Sequence, residues 1–149
     1  MPTDIRPTTG QEALELLKAG NARYVDSLTS TDEYMQRRPE LVKDQNPLAI
    51  ILGCSDARVP VEIVFDQGLG DLFVIRVAGY NLHELATANG QDVDADELVD
   101  RSIRANVRMS VSQLKHGSRA LEDLTNSGQL LVVGAEYDLE TGKVRFLDS

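Results

Sequence analysis

Five consecutive residues, Cys54-Ser55-Asp56-Ala57-Arg58, bring a thiol, a carboxylate and a guanidinium onto one short stretch. A thiolate is a nucleophile or a soft metal ligand, and a nearby guanidinium favours the thiolate over the thiol. The carboxylate can accept a proton or join a metal, and the guanidinium can clamp an oxyanion through its forked N–H groups. A purely structural reading stays open on these residues alone: a buried cysteine beside an Asp–Arg pair that braces a turn. Cys54 is the single cysteine of the sequence, so an intramolecular disulfide is excluded within it.

Position gives the stretch more weight. Leu48 to Gly53 is a short, continuously apolar run, as expected for a strand buried on both faces. Asp71 to Val77 reads as a second buried strand, and between them Pro60 suits the first turn of a helix through Phe65, broken by Gly68 and Gly70. Cys54, Asp56 and Arg58 therefore follow the carboxyl end of a strand, where open α/β sheets bind their ligands.

The remaining elements follow from spacing. Thr9 and Glu12 have capping-box spacing, and Leu14, Leu17, Tyr24, Val25 and Leu28 form an apolar stripe, so a helical arm is expected over about 9–28. Residues 32–47 read as a short helix or loop, and 81–97 as an acidic loop with at most a turn around 83–88. Asp94 and Glu97 repeat the capping spacing before a long helix with Val99, Ile103, Val107, Val111 and Leu114 on one face. Ser118 can cap a shorter helix through Leu124, and Gly128 can stop it. Leu130 to Tyr137 reads as a third strand, and Glu140-Thr141-Gly142 turns it into a last strand, Lys143 to Leu147. The expected architecture is one α/β domain over residues 1–149, with a mainly parallel sheet and an antiparallel hairpin at its edge.

Composition bounds the function classes. The 149 residues carry 24 acidic and 15 basic side chains, a net charge of -9, which argues against nucleic-acid or anionic-membrane partners. No run approaches the roughly 18 apolar residues of a membrane span. The N-terminus lacks a basic region followed by an apolar stretch, so a cytoplasmic protein is expected. Gly68-x-Gly70 lacks a third glycine and precedes a strand, so it is no dinucleotide fingerprint. The acidic run Asp92, Asp94, Asp96, Glu97 lacks the spacing of a calcium loop.

The whole phrase from Gly53 to Glu62, continued by Phe65-Asp66-Gln67-Gly68 through Arg76-Val77-Ala78-Gly79, closely resembles the β-class carbonic anhydrases. Gly128 to Val144 is similar to that family's terminal strand and hairpin. The resemblance implies a β-carbonic-anhydrase-like fold. It also implies that Cys54 matches a zinc thiolate, that Asp56 and Arg58 match a catalytic dyad in which Arg orients Asp, and that Gln67 matches a glutamine of the substrate pocket. In that family a zinc-bound hydroxide attacks CO2 to form bicarbonate.

The family's remaining zinc ligands come from a His-x-x-Cys element on another parallel strand, and this sequence has none. One strand and its block are apparently lost between Gly79 and Asn106. Val77 and Tyr80 also depart from asparagines usual in the family. His83, in the acidic loop, and His116, at the end of the long helix, are the histidines left to substitute. The metal set is thus Cys54 and Asp56 only if zinc is bound, with third and fourth ligands unknown, and zinc is expected to be absent or substoichiometric.

The first reading is a carbonic-anhydrase-fold protein with little or no CO2 hydration, keeping a pocket for bicarbonate or phosphate lined by Cys54, Asp56, Arg58 and Gln67. The alternatives are a divergent carbonic anhydrase with borrowed ligands, a thiol-dependent hydrolase using Cys54, and a structural or regulatory partner with a vestigial pocket. A homodimer or higher oligomer through the N-terminal helix is the expected assembly.

Overall fold

The computed structural model describes residues 6–29, 38–77 and 95–147. In chain order these form α1 (Gly10–Val25), a single 3-10 turn (Glu40–Val42), β1 (Ala49–Cys54), α2 (Val61–Val64) and β2 (Leu72–Val77). They continue with α3 (Ala95–His116), α4 (Arg119–Asn126), β3 (Gly134–Tyr137) and β4 (Val144–Leu147). The chain divides into two compact units, residues 1–79 with 137–144 and residues 80–136 with 145–149.

In the first unit β1 and β2 pair in parallel, from Ala49 against Leu72 to Cys54 against Val77. The helix between them makes this the right kind of crossover for parallel strands. α1 opens on the expected capping box: Thr9 accepts from the Glu12 amide, and the Glu12 carboxylate takes the Thr9 amide. Its inner side presents Ala13, Leu17, Gly20 and Asn21, and the unit's core gathers Ala13, Leu17, Val61, Val64, Phe65 and Leu72. Gly20 lies so close to α2 that a Cβ there would sit 1.8 Å from the Phe65 carbonyl oxygen. Only glycine allows that approach.

A buried amide closes the unit. Asn21 donates to the carbonyls of Val64 (3.1 Å) and Gly142 (2.9 Å), and its oxygen accepts from the Val144 amide (2.9 Å). One side chain thus ties α1 to α2 and to the tip of the hairpin. The Tyr24 and Tyr137 hydroxyls meet at 3.2 Å beside it. Asp66, buried and left-handed at φ 46°, is held by the Arg23 guanidinium.

In the second unit α3 packs against α4, and buried Gly134 lies against Val107 and Val111. Glu136 accepts from both Arg104 (3.3 Å) and Arg145. Burial pushes its carboxyl up, but the two guanidinium groups outweigh that and hold it below the usual value. Gly128, at φ 74°, ends α4 as expected, since glycine enters the left-handed region without strain. Ser118 occupies the N-cap of α4 without a side-chain bond.

Five expectations need correction. Neither of the first two strands is buried on both faces: exposure alternates along the first, where Ile50 and Leu52 are exposed, and the second exposes Phe73, Ile75 and Val77. α2 stops at Val64, well before Gly68, because the chain turns left-handed at Asp66. Leu28 lies beyond α1 and is exposed, so it does not complete the apolar stripe. The third strand is Gly134–Tyr137 only. An apolar run becomes a strand when a neighbour takes its backbone bonds, and the Leu130 amide turns instead to the Leu124 carbonyl. The turn around 83–88 and the Asp94 cap lie outside the described residues.

Candidate functional site

The loop after β1 is built around its arginines. Asp56 Oδ1 accepts from the Arg58 amide (2.9 Å) and from Arg58 Nε (3.0 Å), while Oδ2 accepts from Nη2 (2.6 Å). This is a side-on bidentate pair closed within a tight turn, and Val59 donates its amide to the Asp56 carbonyl at 3.1 Å. The hydrogen bonds from Arg58, side chain first and then backbone, hold the Asp56 carboxyl far below the usual carboxylate range, with Arg76 adding to them. The same pairing raises Arg58 further above its ordinary value. Asp56 is therefore a fixed anion and an orienting group, not a proton carrier near neutrality.

Arg76 anchors the loop from the next strand. Its Nε donates to the Cys54 carbonyl (2.9 Å) and its Nη2 to the carbonyls of Asp56 and Val59, the latter at 3.3 Å. Ser55 completes the attachment by donating its amide to Val77 at 2.8 Å. Arg76 was not singled out from sequence. The available signal was a charge inside an otherwise apolar strand.

Of the expected site residues, Cys54, Asp56 and Arg58 share this loop. Cys54 is exposed, and the Arg58 side chain is 69% exposed. Among the described residues Arg58 Nη1 makes no hydrogen bond, so the outer edge of the fork faces water. Gln67 is turned to other work: its amide nitrogen donates to the carbonyls of Phe65 (2.9 Å) and Asp66 (3.2 Å) and lies beside Gly20. His116, in the second unit, has Nδ1 3.7 Å from a Glu122 carboxylate oxygen. His83 lies outside the described residues.

Part of the chain is similar to known proteins. The family model described as "Carbonic anhydrase" matches residues 49–88. The carbonic anhydrase of Mycolicibacterium smegmatis is 48% identical over 69 residues, covering 46% of this chain and 34% of that protein. Carbonic anhydrase 2 of Mycobacterium tuberculosis is 46% identical over 69 residues, covering 46% of this chain and 33% of its own. A tetrameric β-carbonic anhydrase of the filamentous ascomycete Sordaria macrospora superposes with a TM-score of 0.52 at 16% identity, covering 93% of this chain and 98% of that chain. Residues 49–88 match the carbonic anhydrase family, and the fold is similar to that of a β-carbonic anhydrase. It spans about a third of the length of the curated relatives it matches.

The match to carbonic anhydrases implies zinc, and the donor set can be tested against it. Structural zinc closes with four donors, and catalytic zinc takes three plus water. Among the described residues no three His, Cys, Asp or Glu side chains gather into a metal-holding group. In this carbonic anhydrase relative Cys54 offers one sulfur, and both oxygens of Asp56 are engaged by Arg58. The described donors do not fit a zinc site. Among the same residues no helix is long and apolar enough to cross a membrane.

Proposed function

We propose that this chain is a carbonic-anhydrase-fold protein that holds a small oxyanion, bicarbonate or phosphate, at Arg58, and hydrates CO2 little or not at all. The observation that supports it most is the Asp56–Arg58 fork at the carboxyl end of a parallel strand, with its Nη1 edge toward water. A guanidinium oriented by one carboxylate and open on its far edge presents paired N–H donors to a planar or tetrahedral oxyanion. Cys54 stands at the base of the same loop and contributes its thiol to the wall of the site. Gln67 enters this reading through its resemblance to the family's pocket glutamine, since its amide nitrogen is already engaged. Self-association belongs to the same reading, as the structurally similar Sordaria macrospora protein is described as tetrameric.

Metal analysis of the purified protein, stopped-flow CO2 hydration and titration with bicarbonate and phosphate test the proposal together. Zinc well below one equivalent, negligible hydration and anion binding abolished by Arg58→Ala are expected. Near-stoichiometric zinc lost in Cys54→Ser would overturn it in favour of a divergent carbonic anhydrase.

A further inference from the structure

The parallel register decides which side chains of the two strands share a face. Ile50 pairs with Phe73, Leu52 with Ile75 and Cys54 with Val77, and side chains alternate along a strand. Ile50, Leu52 and Cys54 therefore lie on one face with Phe73, Ile75 and Val77. Every one of them is exposed: Ile50 at 66%, Leu52 at 46%, Phe73 at 45%, Ile75 at 44% and Val77 at 53%, with the Cys54 thiol at the upper end. Parallel sheets are ordinarily covered on both faces, so an open, wholly uncharged face is an unfinished interior.

We propose that a second copy of this chain covers this face, packing sheet against sheet with the two Cys54 loops in the same seam. The proposal rests on the self-association in the reading above and names its surface. Two quantities single out a second copy as the occupant. Five apolar side chains, each roughly half exposed on one contiguous face, present on the order of 500 Å2, comparable with the apolar share of the roughly 800 Å2 that a standard interface takes from each partner. The chain also carries a net charge of -9, so two copies repel unless they meet on a surface free of charge, and the register places no charged side chain on this one. Two such faces can pack as aligned sheets about 10 Å apart, like the halves of a sandwich.

Sedimentation equilibrium from about 1 to 100 μM tests it on the full chain, with Leu52→Asp and Phe73→Asp as face variants and Val42→Asp as control. Val42 is 80% exposed and lies outside both strands. A dimer is expected for the wild type and the control, with at least tenfold weaker association in each face variant at unchanged circular dichroism. Maleimide labelling of Cys54 in the wild type gives a reading that needs no variant: it should slow as concentration rises through the dimerisation range. A wild type monomeric to 100 μM would overturn both the self-association and this surface. A dimer indifferent to both substitutions, with Cys54 labelling at the same rate at every concentration, would overturn the surface and leave self-association standing.

Discussion

Arg76 and Asp56 are joined through the backbone: the guanidinium on β2 donates to the carbonyl of the residue whose carboxylate holds Arg58. Two arginines thus act on one aspartate from opposite ends, one fixing its main chain and the other occupying its side chain. The orientation of Arg58 follows from the sheet itself, by way of Arg76.

Replacing Arg76 with alanine should therefore loosen the loop and leave the strands paired. Hydrogen exchange would show faster exchange at residues 55–59 with protection across β1 and β2 retained. Oxyanion affinity at Arg58 should fall severalfold in the same variant. Unchanged exchange in the loop would remove Arg76 from its support.

Asp56 holds the inner edge of Arg58 and leaves the outer edge to an anion, but its own negative charge repels that anion, which gives Asp56→Asn an unusual sign. Neutralising the carboxylate should tighten phosphate binding severalfold, whereas Arg58→Ala should abolish it. The pH dependence follows from the depressed carboxyl. A group whose folded value is lowered keeps its contribution above the ordinary value of 3.8 and loses it only as pH falls below that range. Repulsion from Asp56 should thus persist from pH 7 down to about 4, with no gain in sulfate affinity over that span. Isothermal titration at several pH values would read it.

Asn21→Ala should destabilise the first unit by about 3 kcal/mol, because two carbonyls and one amide lose their partner in a buried place. Asn21→Asp should be no better, since a carboxylate cannot donate to the Val64 and Gly142 carbonyls. Urea unfolding followed by circular dichroism measures both.

Burial, and after it the hydrogen bond with Tyr24, pushes the Tyr137 hydroxyl up from 10.0 to about 12. The neutral phenol is the favoured form in the folded chain. Its contribution to stability is complete below pH 10 and lost as pH rises through about 12. Phenolate absorbance should show a late-titrating tyrosine, and Tyr24→Phe should bring it only part of the way back, because burial remains.

The elements were legible wherever a residue's own chemistry fixes its backbone. The Thr9–Glu12 box, the apolar runs of β1 and β2 and the Gly128 stop all act within a few residues, and they stand where expected. The Cys54, Asp56 and Arg58 cluster was legible for the same reason: a turn brings together residues two apart. What escaped depends on distant partners. Asn21 reads as an unremarkable polar residue on a helix until Val144 arrives from the far end of the sequence. Arg76 reads as a blemish in a strand until the register sets it opposite Gly53, beside the carbonyls it holds. Leu130 to Val133 is as apolar as β1, but apolarity does not supply the neighbour that a ladder needs.

The Asn21 clasp also carries a consequence for synthesis on the ribosome. The first compact unit is discontinuous, drawing on residues 1–79 and then on 137–144. A nascent chain presents α1, β1, α2 and β2 first, with the buried amide of Asn21 still lacking its partners at Gly142 and Val144. Those partners lie 121 and 123 residues further along the chain, so the clasp cannot close until the intervening stretch has been translated. The unit that carries Arg58 consequently waits for the whole of 80–136, the main segment of the other unit, to be made before its own last piece arrives.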